Sequence, residues 1–211
     1  MFYSYCILFF IYSLIGWLME VLLTLYNEHK FVNRGFLLGP CCPIYGFGCI
    51  ILYLLLKPYT NNVIVLFILT LFTCSVIEYI TSYFMEKIFR LRWWDYSRRK
   101  FNINGRICLE TMIPFGLGGM FIMYIVNPFF LRMLSHIPDV LLTVISIVLA
   151  LVFIFDLCMS TKIIFNLKST VRNIKKDSTE EITAKVKDFI MNNAKYAKKR
   201  LVKAFPKLKI K

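Results

Sequence analysis

Four carboxylates fall in or beside the most apolar stretches of this chain: Glu20, Glu78, Glu110 and Asp156. A charge at the centre of a bilayer costs about 2.5–3.5 kcal/mol on insertion scales, so such a residue faces protein, water or a ligand rather than lipid. Acids in that setting can carry protons or cations. Arg34 and Arg106 stand on the same side of the spans. A guanidinium can pair a carboxylate bidentately, or offer its fork to a phosphate or carboxylate ligand. Counting inward at the helical rise puts the four acids roughly 6–14 Å from the boundary next to the basic segments. Equal depth and opposite charge predict that Glu20, Arg34, Glu78 and Arg106 converge as a substrate-binding site, with Asn33, Asn104 and Asp95 at its rim. Asp95 is included because it is an acid held among Arg92, Arg98 and Arg99.

The elements that must position these groups are membrane spans. The chain has 211 residues, is 58% hydrophobic and holds 20 Phe and 12 Tyr, with a mean hydropathy of +0.64. No ordinary soluble domain has this make-up. A spanning helix takes about 20 mostly apolar residues, and candidate spans lie at 2–26, 40–56, 63–87, 107–131 and 138–161. The predicted fold is all-α: a polytopic transmembrane helical bundle of about five spans. The second is short and contains Pro40, Pro43, Gly46 and Gly48, so it is kinked or re-entrant. The first lacks the basic leader and small-residue cleavage site of a signal peptide, and is expected to stay as a helix.

Charge sets the expected orientation. Basic residues are dense at 87–106, present at Lys30 and Arg34, and sparse at 57–62 and 132–137; 15 of the 26 Lys and Arg follow Thr161. Positive segments stay on the cytoplasmic side, which predicts an external N-terminus, a cytoplasmic C-terminus and residence in the cell membrane. The chain divides into a transmembrane helical domain, 1–164, and a basic cytoplasmic tail, 165–211. Ser178-Thr179-Glu180-Glu181 fits a capping box ahead of an apolar stripe, so the tail should hold an amphipathic helix on the anionic inner leaflet. Membrane lipids are thus the expected partners of the +14 net charge. No nucleic-acid fold accompanies it.

Other chemistry is thinly represented. There is no H-E-x-x-H or G-x-S-x-G, and the only histidines are His29 and His136, so no catalytic residue is assigned. The seven cysteines include no C-x-x-C, and most sit in spans as small hydrophobes; no metal or cofactor is expected. Small and polar stripes run along the first span (Ser13, Gly16, Glu20, Thr24) and the third (Ser75, Glu78, Ser82, Glu86), as helix contacts require. The segment 31–46 echoes 101–116, with Gly35 and Gly46 spaced as Gly105 and Gly116, which suggests two helix pairs and a fifth helix.

The stretches GWLMEVLL (16–23), NRGFLLGPCCPIYG (33–46), EYITSYFMEKIFRLRWWDYS (78–97) and NINGRICL (102–109) resemble the CmpB-type family of putative ABC-transporter type IV membrane proteins. The resemblance covers roughly residues 5–160 and carries motif residues that include Gly16, Trp17, Glu20, Asn33, Arg34, Gly35, Gly39, Glu78, Glu86, Asp95, Asn104, Gly105 and Arg106. It implies a permease-like membrane component working with a separate ATPase subunit, its substrate unspecified; five spans are few for a solitary transporter, so such a partner or a homo-oligomer is expected. The chain itself has no G-x-x-x-x-G-K-[ST] and cannot drive ATP-coupled transport alone. The residues alone leave two further readings open: a non-catalytic scaffold or lipid-binding sensor, and a membrane-embedded lipid-modifying enzyme.

Overall fold

The computed structural model describes residues 2–89, 91–172, 200, 203–204 and 209–210. The elements are α1 (Phe2–Glu28), α2 (Pro43–Leu56), α3 (Val63–Phe89), α4 (Leu109–Phe121), α5 (Asn127–Leu134) and α6 (Asp139–Arg172), with short strands β1 (Leu91–Arg92), β2 (Asn102–Ile103), β3 (Ile107–Cys108) and β4 (Lys209–Ile210). A π-helical turn, Ile122–Val126, joins α4 to α5, so 109–134 runs as one apolar rod. Four helices are long and apolar enough to cross a membrane, and Pro43–Tyr59 is a shorter apolar one. Leu14, Ile15, Leu18, Leu22 and Leu23 on α1 and Leu151, Val152 and Phe155 on α6 are exposed, as helices bathed in lipid require.

Local chemistry sets the ends. Asn62 Oδ1 accepts from the backbone N–H of Ile64 and of Val65, both at 3.1 Å, and so caps α3. Pro43 opens α2, where its missing N–H costs nothing. The β2–β3 hairpin turns through Asn104 and Gly105 at φ 52° and 64°, a backbone these two residue types tolerate.

The second span departs most from an ordinary crossing. The Cys42 N–H donates to the Ser13 carbonyl at 3.0 Å, so α2 starts halfway along α1. The chain therefore leaves α1 at Glu28 and runs back beside it, without regular structure, before α2 begins. That return is possible because α1 and α2 touch nearly backbone to backbone. A Cβ on Gly46 would lie 2.3 Å from Ser13 Oγ and 2.6 Å from the Phe9 carbonyl oxygen, and one on Gly16 would lie 2.3 Å from the Tyr45 ring.

The pairs in closest contact are α1 with α2 and α3 with α4, and α6 packs on α1. The echoed segments are alike in part: Gly35 and Gly105 both sit at positive φ, but only the second segment forms a hairpin. At one end of the bundle Ile7, Leu8 and Tyr12 pack with Leu134 and Leu142, and Tyr12 donates to the buried Asn127 just past the π turn. The segments 29–42 and 91–108 gather at the other, basic end, where Phe36 meets Phe89 and Trp93 with ring centroids 5.5 and 5.8 Å apart.

Helix α6 continues to Arg172, past the boundary read at 164, and β4 returns to pair antiparallel with β1. The amphipathic helix expected after Ser178 lies outside the described residues.

Gly46→Val should overpack the α1–α2 contact and destabilise by about 1–3 kcal/mol. Gly48→Ala, where an added Cβ meets nothing within 4 Å, should be neutral or slightly stabilising. Thermal unfolding of both variants in detergent checks this; equal melting temperatures would contradict the close approach.

Candidate polar site at the basic end of the bundle

Counted from the start of each helix at the helical rise, Glu20, Glu78 and Asp156 lie roughly 22–27 Å along α1, α3 and α6. The helix starts are not level, however: Phe153 packs on Phe9 and Phe10 and the Ser146 hydroxyl donates to the Tyr3 carbonyl, so Asp156 lies beside Ser13, about 10 Å along α1 from Glu20. The connecting segments bring most of the groups that meet them.

Glu20 is held from two sides. Tyr45 donates its hydroxyl to one carboxylate oxygen at 2.7 Å, and Arg34 pairs with the other at 3.5 Å. Arg34 also donates to the Ala204 carbonyl. Beside it, the Trp17 indole N–H donates to Asn33 Oδ1 at 2.7 Å, and the Asn33 amide donates to the Leu38 carbonyl at 3.0 Å. Asn33 thus ties the irregular return to α1.

Asp156 serves the same return. It accepts the backbone N–H of Leu38 at 2.9 Å and of Gly39 at 2.8 Å, and the Ser160 hydroxyl at 2.9 Å. Non-helical backbone at membrane depth survives only where something satisfies its N–H groups, and Asp156 is that acceptor. A Cβ on Gly39 would lie 2.9 Å from its carboxylate. From the tail, the buried Arg200 guanidinium donates to the carbonyls of Gly35, at 3.2 Å, and Leu37.

A second ion-pair group lies nearer the boundary. Glu86 stands between Arg106 at 3.0 Å and Arg92 at 3.4 Å. Arg106 also donates to the Ser82 hydroxyl at 3.1 Å and lies 5.7 and 5.5 Å over the rings of Tyr79 and Tyr83. Asp95 pairs with Arg92 at 3.3 Å and accepts the Ser97 N–H at 3.1 Å, packing under Gly105. Asn104 donates to the Tyr79 hydroxyl at 2.8 Å. The structure thus unites Arg106, Asp95 and Asn104 around Glu86, and Glu20, Arg34 and Asn33 around the return. Arg106 reaches Glu86 and Ser82 rather than Glu78. Glu86 was legible as a member of the α3 stripe but not as the centre of this group.

Glu78 lies between the two groups. It is 7% exposed, with the like-charged Glu20 nearby and the Tyr96 hydroxyl placed to hydrogen-bond it. Burial and the adjacent Glu78 carboxylate hold the Tyr96 phenol above its ordinary range, so it stays a neutral hydroxyl. Glu110 belongs to neither group. It sits in the exposed first turn of α4, paired with Arg99, because the hairpin carries the chain out to Leu109 before the helix begins.

A family model described as Putative ABC-transporter type IV matches residues 7–161. No curated protein matches the chain, and no solved structure does.

The two ion-pair settings should respond differently to truncation. Glu86→Ala takes from Arg106 its carboxylate and leaves Arg92 only Asp95, both arginines being 10–13% exposed, and should cost about 3–5 kcal/mol. Glu110→Ala removes a pair that is more than half exposed, and should cost no more than about 1 kcal/mol. Thermal melts of the two variants in one detergent give the comparison.

Proposed function

The chain belongs to the putative ABC-transporter type IV family, and from that premise we propose that it is a permease-like membrane component whose working site is the polar region at the basic end. One observation carries the reading: Glu20, Glu78 and Asp156 stand on three different helices, each meeting polar groups of the connecting segments, where plain helix packing calls for no acids. The residues proposed to meet a substrate are Glu20, Asn33, Arg34, Glu78, Asp95, Asn104 and Arg106. Energy then comes from a separate ATPase subunit, because the sequence carries no P-loop.

The basic end is assigned to the cytoplasm of the cell membrane and the N-terminus to the outside, on the distribution of Lys and Arg. Residues 1–164 form the membrane domain in this reading, and 165–211 an appendage to it that meets anionic lipid. A scaffold or lipid-sensing role has one observation in its favour: Arg200 and Ala204 contact the return segment at Arg34, Gly35 and Leu37, which gives the tail a route to report on the bundle.

The readings separate in one experiment. The tagged full chain is purified from its native membranes, and any associated ATPase is assayed with wild type and with Glu20→Gln, which keeps shape and removes charge. The transport reading expects an associated P-loop ATPase whose hydrolysis the chain changes, an effect lost in Glu20→Gln at an unchanged melting temperature. Absence of an ATPase, or full coupling in the variant, favours the scaffold. A C-terminal tag reachable from outside intact cells would contradict the orientation.

A further inference from the structure

We propose that Glu78 is a proton-binding site, its Oε2 taking up and releasing a proton while its neighbours stay as they are. This deepens the transport reading and rests on it for the use made of the proton; whether the proton is there can be asked separately.

The other interior acids are matched. Glu20 has Tyr45 and Arg34, Asp156 has two backbone N–H groups and a serine hydroxyl, and Glu86 has two arginines. Glu78 differs. Its Oε2 is buried with no hydrogen-bond donor among the described residues. A buried carboxylate met by a single hydroxyl, that of Tyr96, keeps one oxygen unsatisfied, and a proton on that oxygen removes the unfavourable charge.

The groups facing it sharpen the point. Glu20 approaches from α1 with like charge, Tyr96 from the 91–108 segment with a neutral hydroxyl, and Cys74 from one turn back on α3 itself. Arg34 pairs with Glu20 and Arg106 with Glu86. Among the described residues no three ligating side chains converge, and hard cations take six or more oxygen ligands. The arrangement suits a proton better than a metal ion.

The step is an acid dissociation. The Oε2–H bond breaks, the electron pair stays on the carboxylate, and the proton passes to water at the basic end. Tyr96 lies in that direction and can relay it, since its hydroxyl both donates and accepts. Release creates a second negative charge beside Glu20.

A hydrophobic carbodiimide such as dicyclohexylcarbodiimide adds to the protonated form of a carboxyl in an apolar setting, and mass spectrometry locates the adduct. It is applied to the wild-type chain in lipid nanodiscs over a pH series. The expected result is modification at Glu78 at neutral pH, falling away as pH rises, with Glu20 and Asp156 unmodified. Glu78→Gln, which stands for the neutral acid, should keep the wild-type melting temperature and lose the adduct. Modification of Glu20 but not Glu78, no modification at any pH, or a melting temperature that collapses in Glu78→Gln would each overturn the proposal. None of these outcomes depends on an ATPase partner, so failure here is distinct from failure of the transport reading.

Discussion

A carboxylate inside an apolar bundle has to be met by a donor, and that single requirement organises the basic end of this molecule. The donors come from the connecting segments as much as from the helices. Arg34, on the return, pairs with Glu20. The N–H groups of Leu38 and Gly39 reach Asp156. Arg92, ahead of the hairpin, and Arg106, in its turn, reach Glu86. Each contact does two things at once. It stabilises an acid that lipid cannot solvate, and it fixes non-helical backbone where water is scarce. The irregular return beside α1 is the clearest product, since it needs both the close α1–α2 contact at Gly16 and Gly46 and the Asp156 acceptor across from it.

Sequence reasoning reached the spans because long apolar stretches leave few alternatives. It also reached the shortness of the second span, since Pro40, Pro43, Gly46 and Gly48 do not suit an ordinary crossing helix. The placement of Glu20 near Arg34 followed from counting depth. The family assignment rests on ordered motifs over most of the membrane region, and the matching family model covers the same stretch.

What stayed hidden has physical reasons. The donors to Asp156 are mainly backbone N–H groups, which carry no side-chain signature; Gly39 was the only trace. Arg106 had two acids to choose from on one stripe of α3. The hairpin sets its reach, and that reach ends at Glu86 and Ser82, one to two turns nearer the boundary than Glu78. Glu110 was placed inside because depth was counted from an assumed span. The β2–β3 hairpin moves the start of α4, and the acid comes out beside Arg99. The tail contacts at Arg200 and Ala204 lie more than 160 residues from their partners in sequence and have no local cue.

The central claim is that the span acids hold the connecting segments in place. Hydrogen–deuterium exchange on the full chain in lipid tests it most directly, comparing Glu20→Gln, Asp156→Asn, Glu86→Gln and Glu78→Gln. The account expects Glu20→Gln and Asp156→Asn to raise exchange in 33–42 alone, Glu86→Gln in 91–108 alone, and Glu78→Gln in neither, because Glu78 anchors no backbone. Uniform exchange changes across the bundle, or protected segments in all four variants, would contradict it.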